Sequence, residues 1–250
     1  MPRFLSMALL ASAALMTTAC SRETGEQSSS RNPSAERGTT ATGSRDWAAL
    51  KDFSAIEAVG PDDVAVTIGN TFSVKAEGDP KAIEQLDIRV EGDRLKVGRQ
   101  SSWTASSDKG ATIRVTMPAI SAVALTGSGD FDLDRAEGKA LDLSLTGSGD
   151  MEIGRVTLNS LTAKITGSGS IDIAGTADEG KLSLTGSGDI DGEKLKLGKA
   201  DASLMGSGDI DFASDGAVAI NIMGPGNVTV KGKAQCRTNG IGPGEARCAP

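Results

Sequence analysis

The hexapeptide LTGSGD occupies residues 125–130 and returns unchanged at 145–150 and 184–189. Variants stand at 165–170 (ITGSGS), 204–209 (LMGSGD) and 222–227 (IMGPGN). The first glycines of these copies are Gly127, Gly147, Gly167, Gly186, Gly206 and Gly224. The second are Gly129, Gly149, Gly169, Gly188, Gly208 and Gly226. The steps between first glycines are 20, 20, 19, 20 and 18 residues. A seventh copy, IGPGE, places Gly242 a further 18 residues on. A fixed period of this length marks a stacked-repeat architecture.

Within a unit the apolar residues alternate. Leu141, Leu143 and Leu145 precede one Gly-Ser-Gly, and Met151 and Ile153 follow it. The same columns recur as Leu125, Ile165, Leu184, Leu204 and Ile222 before the glycines, and as Phe131, Ile171, Ile190, Ile210 and Val228 after them. Period-two alternation predicts strands, and the glycine content argues against helices. A unit of this size cannot bury an apolar face alone, but units stacked about 4.8 Å apart can. The predicted fold class is all-β: a parallel β-helix of about seven coils, right-handed by the crossover rule. The glycines are its repeated turns, permissive in φ and small enough for close coil-to-coil approach.

The segments VAVTI (64–68), FSVKA (72–76), LDIRV (86–90), RLKV (94–97) and ATIRVTM (111–117) predict an irregular β section before the repeats. DPKAIEQL (79–86) predicts one short helical turn, capped by Asp79 with Pro80 at its first position. The stretch 98–110 is expected to be a polar loop. The chain therefore divides into a leader (1–20), a polar tether (21–46) and a single β domain (47–250). The domain comprises the irregular section 47–118 and the repeat coils 119–250.

The leader has a basic start and an apolar run too short to cross a bilayer. It ends in TTAC, placing Cys20 where a bacterial lipoprotein signal has its lipidated cysteine, although Thr17 replaces the usual leucine. Lipidation of Cys20 is the expectation; ordinary cleavage after Ala19 is the alternative. Ser21 rather than aspartate follows, which predicts an outer-membrane anchor. The segment 21–46 is too poor in large apolar side chains to offset the entropy of ordering. The remaining cysteines, Cys236 and Cys248, form an even pair in an exported chain and predict a disulfide. It would staple the last coil; a redox pair is the other reading. Two cysteines without a histidine in the chain do not make a zinc site.

The net charge of −7 excludes nucleic acid as a natural partner. Only Trp47 and Trp103 could stack on a sugar, since the chain has no tyrosine. Acidic residues form two columns: Asp130, Asp150, Asp189 and Asp209 directly after the glycines, then Asp132, Glu152, Asp172, Asp191 and Asp211 two places on. Both alternate with the apolar column and should face outward together. Unit charges at strand spacing repel by about 0.9 kcal/mol even in water. Two readings stand: a weak calcium or polycation stripe, or a solvated face softened by nearby lysines and by salt. The serines of the glycine turns form a column too, but no base accompanies them, so a serine nucleophile is excluded. A repeated carboxylate ladder singles out no acid pair for glycoside cleavage. No catalytic residue is predicted, and no cofactor beyond weak calcium.

GSGDF, GSGDM, GSGSI and GSGDI at this spacing, after a strand-rich opening that begins Phe53-x-x-Ile56, resemble the head GIN domain of the "putative auto-transporter adhesin" family. The resemblance spans residues 52–245. It implies an exported, often lipid-anchored β-helical protein, and it transfers no catalytic residue. The departures are GPG at 224–226 and 242–244, and Ser170 in place of an acid. The resulting expectation is a non-enzymatic envelope lipoprotein that binds an envelope or surface component and meets the membrane only through its anchor. The rival classes are a polysaccharide-active β-helix enzyme, which would need an asymmetric cleft with one perturbed acid, and a structural envelope component without a ligand.

Overall fold

The computed structural model describes residues 43–100 and 110–249. Leader residues, most of the tether and the loop 101–109 lie outside the described residues. Strand is the dominant state: 17 strands join one continuous hydrogen-bonded sheet that winds into a parallel solenoid of about six turns. The corners from Gly127 to Gly242 bound those turns.

The opening section contains β1 (Gly43–Asp46), β2 (Ala55–Gly60), β3 (Asp63–Ile68), β4 (Ser73–Gly78), α1 (Pro80–Gln85), β5 (Leu86–Glu91), β6 (Arg94–Arg99) and β7 (Ala111–Met117). Each segment read as a strand from alternation is one. Helix α1 begins as its sequence predicts: the Asp79 carboxylate accepts hydrogen bonds from the backbone of Lys81 (2.9 Å) and Ala82 (3.4 Å). Strand β1 falls inside the segment read as tether; it pairs antiparallel with β4, matching Gly43 to Gly78. Arg99 also departs from the expected loop, because it ends β6.

The repeats follow as β8 (Ala122–Gly127), β9 (Phe131–Gly147), β10 (Met151–Gly167), β11 (Ser170–Gly186) and β12 (Asp189–Gly206). The last coils split into β13 (Asp209–Ser214), β14 (Ala217–Met223), β15 (Asn227–Lys231), β16 (Gln235–Ile241) and β17 (Ala246–Ala249). Every pairing along the repeats is parallel and matches identical positions of neighbouring units: Leu145 with Ile165, Ile165 with Leu184, Leu184 with Leu204. The stacked columns fill the core. Phe131, Met151, Ile171, Ile190, Ile210 and Val228 are in register and buried. Each such side chain contributes roughly 1.5–3 kcal/mol through burial.

Chain order and spatial order differ at the start. Strand β2 pairs with both β6 and β8, and β3 with both β7 and β9. The coil formed by β2 and β3 is therefore wedged between two coils that come later in sequence. Its corner, Gly60-Pro61-Asp62, is an eighth copy of the glycine turn: Gly60 is in register with Gly127 and has φ 121°. Within the irregular section, β2 and β3 thus already stack in parallel with the first repeat strands. Antiparallel strands β5, β4 and β1 close this end, with Ala82 and Ile83 of α1 buried there and Trp47 and Leu50 packed on the core.

Candidate functional site

The glycine turns fix every exposed column. Gly147 has φ 129°, a region that side chains disfavour. A Cβ built on it would lie 2.1 Å from the Gly127 carbonyl oxygen. Gly149 has ordinary φ, yet a Cβ there would lie 2.0 Å from the Gly129 oxygen. The first glycine is thus required by conformation and contact, the second by contact alone. Between them, the backbone N–H of Ser148 donates to Gly127 O at 3.0 Å. Pro225 has no N–H to give, but Gly226 N–H keeps the second bond of the corner, to Gly206 O at 3.2 Å, as Gly149 does to Gly127 O at 3.3 Å. This is why proline can replace the middle serine.

The first acidic column is a hydrogen-bonded spine. Asp63 Oδ1 accepts from the Asp130 N–H (3.0 Å) and Asp130 Oδ1 from the Asp150 N–H (3.0 Å). Asp150 Oδ1 accepts from both the N–H and the hydroxyl of Ser170, at 2.8 and 2.7 Å. The chain resumes with Asp189 to Asp209 (2.8 Å), Asp209 to Asn227 (2.9 Å) and Asn227 to Glu245 (3.3 Å). Each side-chain oxygen holds the amide of the next coil. A carboxylate accepting an N–H gains more than a neutral acceptor would, which offsets part of the repulsion along the column.

The second column has no such spine. Asp132, Glu152, Asp172, Asp191 and Asp211 pair in register on successive coils, all at the surface or half-buried. Partial burial, then the charge of Glu152, Asp130 and Asp63, pushes the Asp132 carboxyl above its ordinary range. Asp172 is raised likewise, by burial and then by Asp191, Glu152 and Asp150, with Lys194 opposing. Lys231 pairs with Glu193 at 2.8 Å and also feels Asp211 and Asp191. All nine acids therefore share one strip with a negative field. Among the described residues no cluster of three acidic or cysteine side chains has the geometry of a metal site.

The residue before the first glycine forms a third column. Thr126, Thr146, Thr166 and Thr185 give way in register to Met205, Met223 and Ile241, the last 71% exposed. Away from the acidic strip, an open groove of about 700 Å³ runs along Ser160, Thr162, Glu179, Lys181, Lys199 and Asp201. Glu179 and Lys199 neutralise each other there at 2.6 Å. The acids with raised pKa lie on the strip, so the cleft and the perturbed carboxyls do not coincide.

Cys236 and Cys248 are joined by a disulfide. They are in register with the buried Val218 and Val230, so the bond crosses the end of the core. Cys20 lies outside the described residues. The sequence did not disclose the buried pair at the other end. Asp62 accepts from Arg99 Nε and Nη2 at 2.7 and 2.6 Å and from the Ala111 N–H at 2.9 Å.

A parallel β-solenoid with stacked glycine corners and uniform exposed columns defines a repeat-scaffold protein. The particular family is that of the "Putative auto-transporter adhesin, head GIN domain", whose model matches residues 52–234; the chain belongs to it. The fold is similar to that of a "putative adhesin" from Bacteroides fragilis, with TM-score 0.80 and 22% identity over 84% of this chain and 98% of the other. A "putative adhesin" from Parabacteroides merdae has TM-score 0.67 and 20% identity over 84% and 97% of the two chains. A "putative lipid binding protein" from Parabacteroides distasonis has TM-score 0.67 and 20% identity over 84% and 98%. No curated protein matches the chain.

Proposed function

We propose that this chain is a non-enzymatic lipoprotein of the bacterial envelope, anchored through Cys20 in the outer membrane, whose solenoid binds an envelope or surface component. The observation that carries this reading is the repetition of the exposed columns. Thr126, Thr146, Thr166 and Thr185 stand one coil apart on a backbone locked by stacked glycines. A ruled, rigid surface of that kind suits a partner with a repeat of its own, because little ordering entropy is lost on contact. The family description points the same way. Against the enzyme reading, the groove carboxylate Glu179 is ion-paired with Lys199, and the raised acids Asp132 and Asp172 lie outside the groove, whose other carboxylate is Asp201.

The experiment has two arms. Cys20→Ser should release the chain from the membrane fraction; unchanged detergent-phase partitioning of that variant would refute the anchor. Labelled chain should bind isolated envelopes saturably, and a Thr146→Arg/Thr166→Arg double variant should bind less. Saturable binding that ignores those changes would move the contact to another face.

A further inference from the structure

Strands β16 and β17 pair on one side only, with β14 and β15; among the described residues no strand meets their outer edges. Such an edge is a template for another strand, and proteins usually blunt it with charge. Here the charges are arranged differently. Glu245 and Arg247 flank Ala246, and Arg247 donates to Glu245 at 3.0 and 2.7 Å. On β16, Arg237 and Asn239 flank Thr238. The disulfide sets Cys236 opposite Cys248 across the coil. Thr238 and Ala246 each lie two places from the bond on the side of the Gly242 corner.

We propose that this terminal coil is the contact surface for a second copy of the chain, joined end to end about one twofold axis through Thr238 and Ala246. Antiparallel pairing about that axis sets Arg247 against Glu245 of the second copy, and Glu245 against its Arg247. The two intrachain pairs become a four-charge ring of alternating sign. Arg237 meets Asn239 rather than another arginine. Cys236 faces Gly240, and Cys248 faces Gly244, so the bulk of each disulfide lies over a residue without a side chain. Ile241, the most exposed large apolar residue described, lies over Gln235. An isologous contact closes at two copies. The opposite end of the solenoid finishes differently, in antiparallel strands: among the described residues β5 pairs only with β6, and β1 only with β4.

The test is sedimentation velocity of the full chain in non-ionic detergent, from about 1 to about 100 µM, a range in which modest interfaces dissociate. The expected result is a reversible monomer–dimer equilibrium. E245R alone and R247E alone set like charges against each other and should weaken the dimer by about tenfold or more. The double exchange E245R/R247E keeps opposite charges facing and should restore it. Circular dichroism melting of all three variants separates lost association from lost fold. A chain that stays monomeric throughout overturns the proposal. So does a dimer indifferent to both single variants, or a double variant that melts like the parent and fails to regain the dimer.

Discussion

Arg99 grips Asp62 with two nitrogens, at 2.7 and 2.6 Å, and the two side chains are only 8% and 3% exposed. The pair joins the corner after β2 to the end of β6, and the Ala111 amide adds β7 to the same carboxylate. It therefore binds the wedged coil to the coil beneath it. Asp62 occupies the place that the second glycine holds in later corners, since Gly129 packs directly on its backbone.

Removing one partner leaves a buried charge alone. Arg99→Met is expected to lower stability by about 3–5 kcal/mol, and Asp62→Asn by a similar amount. Urea unfolding followed by far-ultraviolet circular dichroism measures both. The Asp62→Asn/Arg99→Met double variant should lose less than either single change. Additive losses would show that the pair is not coupled.

The glycine turns predict a sharp contrast within one tripeptide. Gly147→Ala places a methyl group against the Gly127 carbonyl at an unfavourable φ and should cost about 3 kcal/mol or more. Ser148→Ala removes an exposed hydroxyl and keeps the N–H that bonds Gly127, so it should stay within about 0.5 kcal/mol of the parent. Thermal melts of the two variants distinguish a steric requirement from a sequence habit.

The aspartate spine needs an acceptor and no particular charge, as Asn227 demonstrates by holding Glu245. Asp150→Asn should therefore melt at or above the parent temperature. Asp150→Ala leaves the Ser170 amide and hydroxyl without their acceptor and should cost about 1 kcal/mol. If both substitutions lower stability equally, the carboxylate charge matters more than its hydrogen bonds.

The second acidic column sets a pH dependence. Asp132 and Asp172 hold their protons more tightly folded than unfolded. Their ionisation therefore weakens the fold, and this penalty disappears as pH falls through their raised pKa values. Asp172→Asn should melt higher than the parent at neutral pH, and the gap should close on acidification. Counterions relieve the same repulsion, so millimolar calcium should raise the parent melting temperature more than sodium of equal ionic strength, and less so in Asp172→Asn. A gap that widens at low pH would contradict the sign of the Asp172 shift.

Reduction of the Cys236–Cys248 bond releases a loop with a sequence separation of 12, worth about 3 kcal/mol by loop entropy. The melting temperature should fall on reduction. Hydrogen exchange should rise first in β16 and β17 and stay slow in β10 and β11; uniform acceleration would refute a local cap.

Repetition made the solenoid legible in the sequence. Each coil repeats the same apolar columns, and parallel stacking at equal register is the arrangement that buries them all. The strands, the helix cap at Asp79 and the outward direction of both acidic columns follow from local period and chemistry. The tertiary structure alone decided what depends on contacts between distant segments. It put the β2–β3 coil between later coils, because Gly60-Pro61-Asp62 keeps the corner while losing the motif's letters. It paired Asp62 with Arg99 across 37 positions, a match that no local pattern encodes. It turned a row of like charges into a spine, because only the stacked backbone shows that each aspartate oxygen reaches the amide of the coil above it.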